Sequence, residues 1–427
     1  MCRRCPHPHA HSLACPRQVT IDGYQAIPAL AEWRAGEAST NLWLQIPSGA
    51  FPCPECCAGG PPPPAAATLA LLTEAAAADG AVFLDGSPAA RYIVRGAEAN
   101  KWIIYQQGGG WCSSDVECLS RAATSIGSSK GYPNVSSTVM QEQAYLSNDP
   151  EVNPVFHNWT KVYLPYGDGS SQTSDVSAPV SVGGGTVYYR GARVLRAVIA
   201  FLRAEGLADA SDVVIAGCSA GGLSTYLHAD KWRQALPAAT VHALPDSGFF
   251  LNWPLSNSSA PPANSTYPWR MWWMWSRMNV SAALAPACLA AHAPADAWLC
   301  LFAENVAPTL ATPTFALQSV HDSYQIPAIL HANASDAADV GAINAYGVEL
   351  AARLQRALID APGGAHGAAL DACLHHCGSR AWKDIGFPQA PSQAGAFAEW
   401  RAGGATRLFK QTEAFPCAAC CGAGARL

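Results

Sequence analysis

The amino-acid sequence predicts an α/β fold, a mostly parallel sheet with helices on both faces. Three observations carry this. Short apolar runs alternate with helical patterns through the middle of the chain. The run Asp212-Val-Val-Ile-Ala breaks into Gly217-Cys218-Ser219-Ala220-Gly221, which reads as a strand turning sharply into a helix. The 427 residues are 50% hydrophobic and 13% charged, which suits one large core better than several small ones.

Taken in order, Trp102–Gln106 and Lys161–Pro165 read as buried strands. Gly191–Arg203 reads as a helix, with Val194, Leu195, Val198, Ile199 and Leu202 on one face. Val213–Ala216, Val241–Leu244 and Thr314–Gln318 are further apolar strands. Leu350, Leu354 and Leu358 recur every fourth residue in a helix that Pro362-Gly363 terminates.

The composition narrows the possible functions. The formal net charge is −5 and no basic stripe appears, which argues against nucleic acid as a partner. No run reaches the roughly 18 apolar residues of a membrane helix, so no transmembrane segment is expected. Sixteen cysteines and six N-x-S/T sequons point to a disulfide-stabilised, secreted or cell-wall protein. The sequons begin at Asn134, Asn158, Asn257, Asn264, Asn279 and Asn333, and N-glycans are expected at Asn134, Asn257, Asn264, Asn279 and Asn333. Cys53-Pro-Glu-Cys56 and Cys417-Ala-Ala-Cys420 each match C-x-x-C, but neither has a second pair at zinc-ribbon distance, so no metal is expected. Met1-Cys2-Arg3-Arg4 leads into Pro and His rather than an apolar segment, so no signal peptide is visible. For a secreted protein, this reads as a chain incomplete at its N-terminus.

A repeat points the same way. Ala31-Glu32-Trp33-Arg34-Ala35-Gly36 recurs as Ala398-Glu399-Trp400-Arg401-Ala402-Gly403, and Phe51-Pro52-Cys53 recurs as Phe415-Pro416-Cys417. Residues 1–57 therefore read as the tail of a preceding unit. Residues 58–67 read as a Gly/Pro/Ala linker stiffened by Pro61–Pro64, and residues 68–421 as the main folded domain that follows it.

Gly217–Gly221 places Ser219 where a nucleophile elbow would, in an α/β-hydrolase-like fold. Chain order then puts an acid and a histidine C-terminal to it. Asp322 is the favoured acid, because it follows the apolar run Phe315–Gln318. Asp246 also follows a strand but reads as a pocket-wall or structural residue. The base lies in Cys373-Leu374-His375-His376-Cys377, and the residues alone leave His375 and His376 as alternatives. His321 and His366 are weaker candidates. Gln107-Gly108-Gly109-Gly110-Trp111-Cys112 follows a strand and reads as an oxyanion loop. Gly110, Trp111 and Ala220 would supply its N–H groups. Lys-Ser/Thr does not follow, so this is not a phosphate loop. No cofactor is needed for this chemistry.

Together these segments resemble the pectin acetylesterase/Notum family of carboxylester hydrolases over about residues 68–421. The resemblance rests on Leu84–Pro88, Gly108–Cys112, Ile126–Lys130, Asn158–Val162, Tyr188–Arg193, Gly217–Gly222, Asp246–Phe250, Asp322–Gln325 and Cys373–Cys377. It implies Ser219 as nucleophile, Asp322 as acid and His376 as base. It also implies a substrate wall that includes Trp111, Phe249, Phe250 and Tyr324. Where the family carries two cysteines that look like partners, this chain has Phe83 and Gly167, so one disulfide is missing. The pairs expected are Cys112–Cys118 and Cys288–Cys300, with Cys373 and Cys377 bridging to the Cys417–Cys421 cluster and Cys218 free.

The resemblance leaves two substrates open: an acetylated polysaccharide, favoured here, or a fatty-acyl ester as in the Notum branch. A non-catalytic glycan-binding or adhesion protein with a relict site is a third reading. The Trp269–Trp275 cluster reads either as a lid over the site or as a helix packed on the core.

Overall fold

Val213-Val214-Ile215-Ala216 is apolar without alternation, and such a run belongs in a sheet covered on both faces. All four residues are 0% exposed. The computed structural model describes residues 66–422, apart from residues 142, 254–265 and 364. In chain order the strands are β1 (Ala67–Leu71), β2 (Ala90–Val94), β3 (Glu98–Gln106), β4 (Val135–Ser136), β5 (Trp159–Leu164), β6 (Val180–Val182), β7 (Gly185–Val187), β8 (Asp212–Cys218), β9 (Thr240–Asp246), β10 (Phe315–Ser319), β11 (Gly367–Asp371) and β12 (Leu408–Lys410). Ten form one sheet in the order β12-β11-β10-β9-β8-β3-β5-β2-β1-β4, while β6 and β7 form a separate hairpin. From β12 to β5 every pairing is parallel, and β2, β1 and β4 add antiparallel pairings at one edge.

Helices cover the sheet. The main ones are α1 (Gly191–Ala204), α2 (Ala220–Ala235), α3 (Tyr267–Arg277), α4 (Val340–Leu354) and α5 (Gln393–Arg401). In α1 the stripe Val194, Leu195, Val198 and Leu202 is buried, as its spacing predicts, while Ile199 is half-buried. After α4 the chain continues as a π-helical turn, Gln355–Ile359, which keeps Leu358 buried in line with Leu350 and Leu354. β1 starts at Ala67, one residue inside the stretch read as linker; Ala67 is buried and pairs with Ser136. The described residues belong to one compact unit. The proposed tail 1–57, with its own cysteines, lies outside the described residues, as do Asn257 and Asn264. Asn134, Asn158, Asn279 and Asn333 are exposed. Among the described residues no helix is long and apolar enough to cross a membrane.

Three expected disulfides are present: Cys112–Cys118, Cys288–Cys300 and a Cys373 bridge to the C-terminal cluster, made with Cys421. Two expectations are overturned. Cys218 is not free, and Cys377 does not bridge to the C-terminal cluster: the two are bonded to each other, and within the cluster Cys417 closes on Cys420. The reason lies in the loop after β11. Cys377 takes a left-handed turn at φ +67°, and its N–H donates to Ser247 Oγ at 2.8 Å. This brings Cys377 to the end of β8, where Cys218 stands. Phe83 and Gly167 are neighbours: a Cβ on Gly167 would lie 2.2 Å from Phe83 Cγ. The Phe83 ring fills the space beside Gly167.

Candidate active site

The parallel strands present their carboxyl ends to one region, where α/β sheets place their sites. Ser219 follows β8 directly and Asp322 lies three residues beyond β10. His376 lies five beyond β11, and the glycine loop follows β3. The sheet register brings these ends together, with Gln106 paired to Gly217, Cys218 to Asp246, and Ser319 to Asp371.

Ser219 sits at φ +59°, ψ −125°, a conformation a serine adopts only where its surroundings hold it. Its N–H donates to the Asp246 carbonyl at 3.0 Å. The glycines of the elbow are required by close approach: a Cβ on Gly217 would lie 2.3 Å from the Gly221 carbonyl oxygen, and one on Gly221 2.0 Å from that of Gln106. Asp246 is 0% exposed and accepts the Ser247 hydroxyl.

The two histidines separate cleanly. His375 Nε2 meets Asp371 Oδ1 at 2.8 Å, buried beneath the loop. His376 Nδ1 meets both carboxylate oxygens of Asp322 at 2.9 Å. Its Nε2 is buried and makes no hydrogen bond among the described residues, so a link to Ser219 Oγ is not closed in this structure. The His376 ring is close to the elbow: a ring nitrogen and the sulfurs of Cys218 and Cys377 lie within 4.8 Å of one another. His321 bonds the Ala372 carbonyl and His366 accepts the Thr314 N–H, so both are committed elsewhere.

Asp322 is 0% exposed and accepts three further hydrogen bonds, from the N–H groups of Tyr324 and Gln325 and from Gln318 Nε2. Burial pushes its carboxyl up, but the facing His376 and these N–H donors outweigh burial and leave it below its ordinary value. Burial pushes the His376 imidazole down, and Asp322 outweighs that and holds it above its ordinary value. The pair is therefore an oriented imidazole on an ionised carboxylate.

The glycine loop is built to aim N–H groups. In a planar trans peptide, fixing the carbonyl points the N–H the opposite way. The Gly109 carbonyl accepts Arg121 Nη1 at 2.6 Å, which sets the N–H of Gly110. The Gly110 carbonyl accepts the Tyr166 hydroxyl at 2.8 Å, which sets the N–H of Trp111. The Ser219 carbonyl accepts the Leu223 N–H at 2.9 Å, which sets the N–H of Ala220. Among the described residues, none of these three N–H groups has an acceptor. The Cys112–Cys118 bond and the donation of Arg270 Nη1 to the Trp111 carbonyl fasten the far end of the loop.

Of the expected wall residues, Trp111, Phe249 and Phe250 are at most 1% exposed, and Tyr324 is half-buried. Trp111 packs edge-on to Phe250, with centroids 4.9 Å apart, and Tyr324 lies 5.2 Å from the His376 ring. Helix α3 buries Tyr267, Pro268, Met271 and Met274 against this cluster, and its tryptophans Trp269, Trp272, Trp273 and Trp275 are half-buried. Sequence reasoning missed Arg121, Tyr166, Ser171 and the Cys218–Cys377 bond. The one available signal was Asp168–Ser174, a stretch polar at every position but Gly169, which lies beyond a strand end and turns out to be buried.

The profile of the family described as Pectinacetylesterase matches residues 64–421. The chain belongs to the pectinacetylesterase family. It is 35% identical over 259 residues to Pectin acetylesterase 11 of Arabidopsis thaliana, covering 60% of this chain and 63% of that one. It is 28% identical over 261 residues to the palmitoleoyl-protein carboxylesterase NOTUM of Mus musculus, covering 57% and 48%. The matched stretch thus spans less than two thirds of these relatives. A crystal structure of the Wnt deacylase Notum from Drosophila superposes with a TM-score of 0.69 at 25% identity, covering 81% of this chain and 97% of the other.

Proposed function

We propose that this pectinacetylesterase-family chain is a serine carboxylester hydrolase that deacetylates an extracellular polysaccharide, with Ser219 as nucleophile, His376 as base and Asp322 as the group that orients it. The observation that carries the reading is the His376 imidazole. One nitrogen is held by Asp322 at 2.9 Å, the other is buried without a partner among the described residues, and the next residue is bonded to the one before Ser219. Ser219 Oγ attacks the ester carbonyl as His376 Nε2 takes its proton. The N–H groups of Gly110, Trp111 and Ala220 receive the oxyanion. His376 then gives its proton to the leaving alcohol, and water attacks the acyl-enzyme with His376 again as base.

A small acyl group is favoured because Trp111, Phe249 and Phe250 have almost no open surface to offer a long chain. Five disulfides among the described residues favour an oxidising, extracellular setting. The test compares the wild type with Ser219→Ala on esters from acetate to palmitate. Turnover that falls steeply beyond butyrate and vanishes in Ser219→Ala supports the reading. A peak at medium or long chains replaces it with the fatty-acyl reading. Turnover surviving in Ser219→Ala removes the serine mechanism. Polysaccharide binding without turnover of any ester points to the adhesion reading.

A further inference from the structure

Ser171 belongs to none of the groups above, yet it bonds Trp111 and Ala220 directly and reaches Gly110 through Tyr166. It is 0% exposed and held at φ +52°, a left-handed backbone uncommon for serine. Its hydroxyl accepts the indole N–H of Trp111 at 2.7 Å and donates to the Ala220 carbonyl at 2.7 Å. A hydroxyl has one proton and two lone pairs, so both bonds are satisfied together. Its N–H donates to the Tyr166 hydroxyl oxygen at 3.1 Å, and that hydroxyl in turn holds the Gly110 carbonyl. Its own carbonyl accepts His228 Nε2 at 2.9 Å. Burial lowers the His228 imidazole well below its ordinary value, so it stays neutral and Nε2 must carry the proton.

These bonds have a geometric consequence. The glycine loop comes from the end of β3, and Ala220 comes from the start of α2. The β3–β8 register aligns the strand ends, with Gln106 opposite Gly217, and beyond that ladder lies the gap between the glycine loop and the start of α2. Ser171 Oγ spans it with two hydrogen bonds, one to each side. Its N–H reaches Gly110 through Tyr166. Gly110, Trp111 and Ala220 are thus all referenced to one buried residue. Donor and acceptor chains of this kind reinforce one another where water is excluded.

We infer that Ser171 is a positioning residue that sets the spacing of the oxyanion donors, joining the glycine loop to the nucleophile helix. This rests on the serine-hydrolase reading above. Ser171 contacts no reacting atom. It acts through Trp111, Ala220 and Tyr166, so its loss should be felt in the transition state more than in substrate binding. Removing a direct oxyanion donor costs about 10²–10³ in kcat, and a group one bond removed should cost less, about 10–100-fold.

The experiment uses Ser171→Ala and Ser171→Gly in the full chain. Alanine removes the hydroxyl and keeps the backbone requirement. Glycine removes the hydroxyl and accepts the positive φ without strain. Both keep the N–H to Tyr166. The expected result is a 10–100-fold loss of kcat in each, with KM within about threefold. Affinity for a trifluoromethyl ketone, which mimics the tetrahedral oxyanion, should weaken in parallel. Trp111→Phe, which removes the indole donor, should add little further loss on top of Ser171→Ala. A merely structural role would lower thermal stability and leave the inhibitor affinity of the folded fraction unchanged, and that result overturns the inference. So does wild-type kcat in both variants. The Ser219→Ala control separates the two levels: if it is inactive while Ser171→Ala is unaffected, only the positioning role fails, and if it is active, the serine reading itself fails.

Discussion

Cys218 and Cys377 are bonded to each other, and they are the immediate neighbours of Ser219 and His376. The elbow after β8 and the histidine loop after β11 are separated by 159 residues of chain, yet one covalent bond fixes their approach. Asp322 restrains the same loop from the other side, through His376 Nδ1 and through the Ser323 N–H on the His375 carbonyl. His376 is therefore held from two directions, with little freedom left except at Nε2.

Breaking that bond should affect both stability and turnover. A disulfide closing so long a loop contributes about 2–5 kcal/mol by restricting the unfolded chain. The double variant Cys218→Ala/Cys377→Ala should therefore unfold at lower temperature and denaturant concentration. It should also lose about tenfold or more in kcat with KM little changed, because the proposed base is no longer fixed beside the proposed nucleophile. Thermal unfolding and steady-state kinetics on one short-chain ester check both. Unchanged kcat in a destabilised variant would mean that Asp322 alone positions the histidine.

On the proposed mechanism the His376–Asp322 pair sets the pH profile. A general base must be neutral, and His376 titrates above its ordinary value of 6.5 because Asp322 outweighs the effect of burial. The acid limb of kcat/KM should then lie above 6.5. In Asp322→Asn that limb should move down, with kcat reduced by about 10³–10⁴. The same pair governs stability, and the signs follow from linkage. The His376 contribution is fully present below 6.5 and is lost as pH rises through its raised folded value. The Asp322 contribution is present above 3.8 and is lost as pH falls through its lowered folded value. The stability gap between wild type and His376→Ala should be widest between those limits, as urea unfolding across pH would read.

Much of this was legible in the sequence because the chemistry is local. Val213–Ala216 and Thr314–Gln318 announce buried strands, and Gly217–Gly221 announces the turn between strand and helix. A choice such as His375 against His376 is not local. Both stand in one box, and only the fold shows that Asp371 takes the first and Asp322 the second. Ser171 and Tyr166 were illegible for a related reason. Their roles consist of hydrogen bonds to Ala220 and Gly110, residues about 50 positions away. The free Cys218 was misread because disulfide partners depend on which loops meet, which spacing does not encode.

Gly108 gives a purely steric prediction. A Cβ there would lie 2.4 Å from the Cys218 carbonyl oxygen and 2.8 Å from Ser219 Cβ. Neither neighbour can give way without moving the elbow. Gly108→Ala should therefore lower kcat by 100-fold or more, on the scale of about 10² for a displacement near 1 Å. Global unfolding should move much less than turnover, since the clash is confined to one loop. Side-by-side kinetics and thermal unfolding check this, and a variant of near wild-type activity would show that the loop has room the structure does not display.

Phe83 and Gly167 make the last case, a large ring facing a residue with no side chain. The Phe83 ring is 1% exposed and leaves no space at Gly167, where a Cβ would approach it to 2.2 Å. Overpacking of a tight core costs about 1–3 kcal/mol, so Gly167→Ala should lower stability by that amount. Trimming the ring should relieve the clash. Phe83→Leu alone removes buried surface and destabilises, but combined with Gly167→Ala it should cost less than the sum of the two single changes. A double-mutant cycle by denaturant unfolding measures the coupling. Strict additivity would mean that the ring moves aside freely, and that Phe83 does not occupy the space beside Gly167 tightly enough to matter.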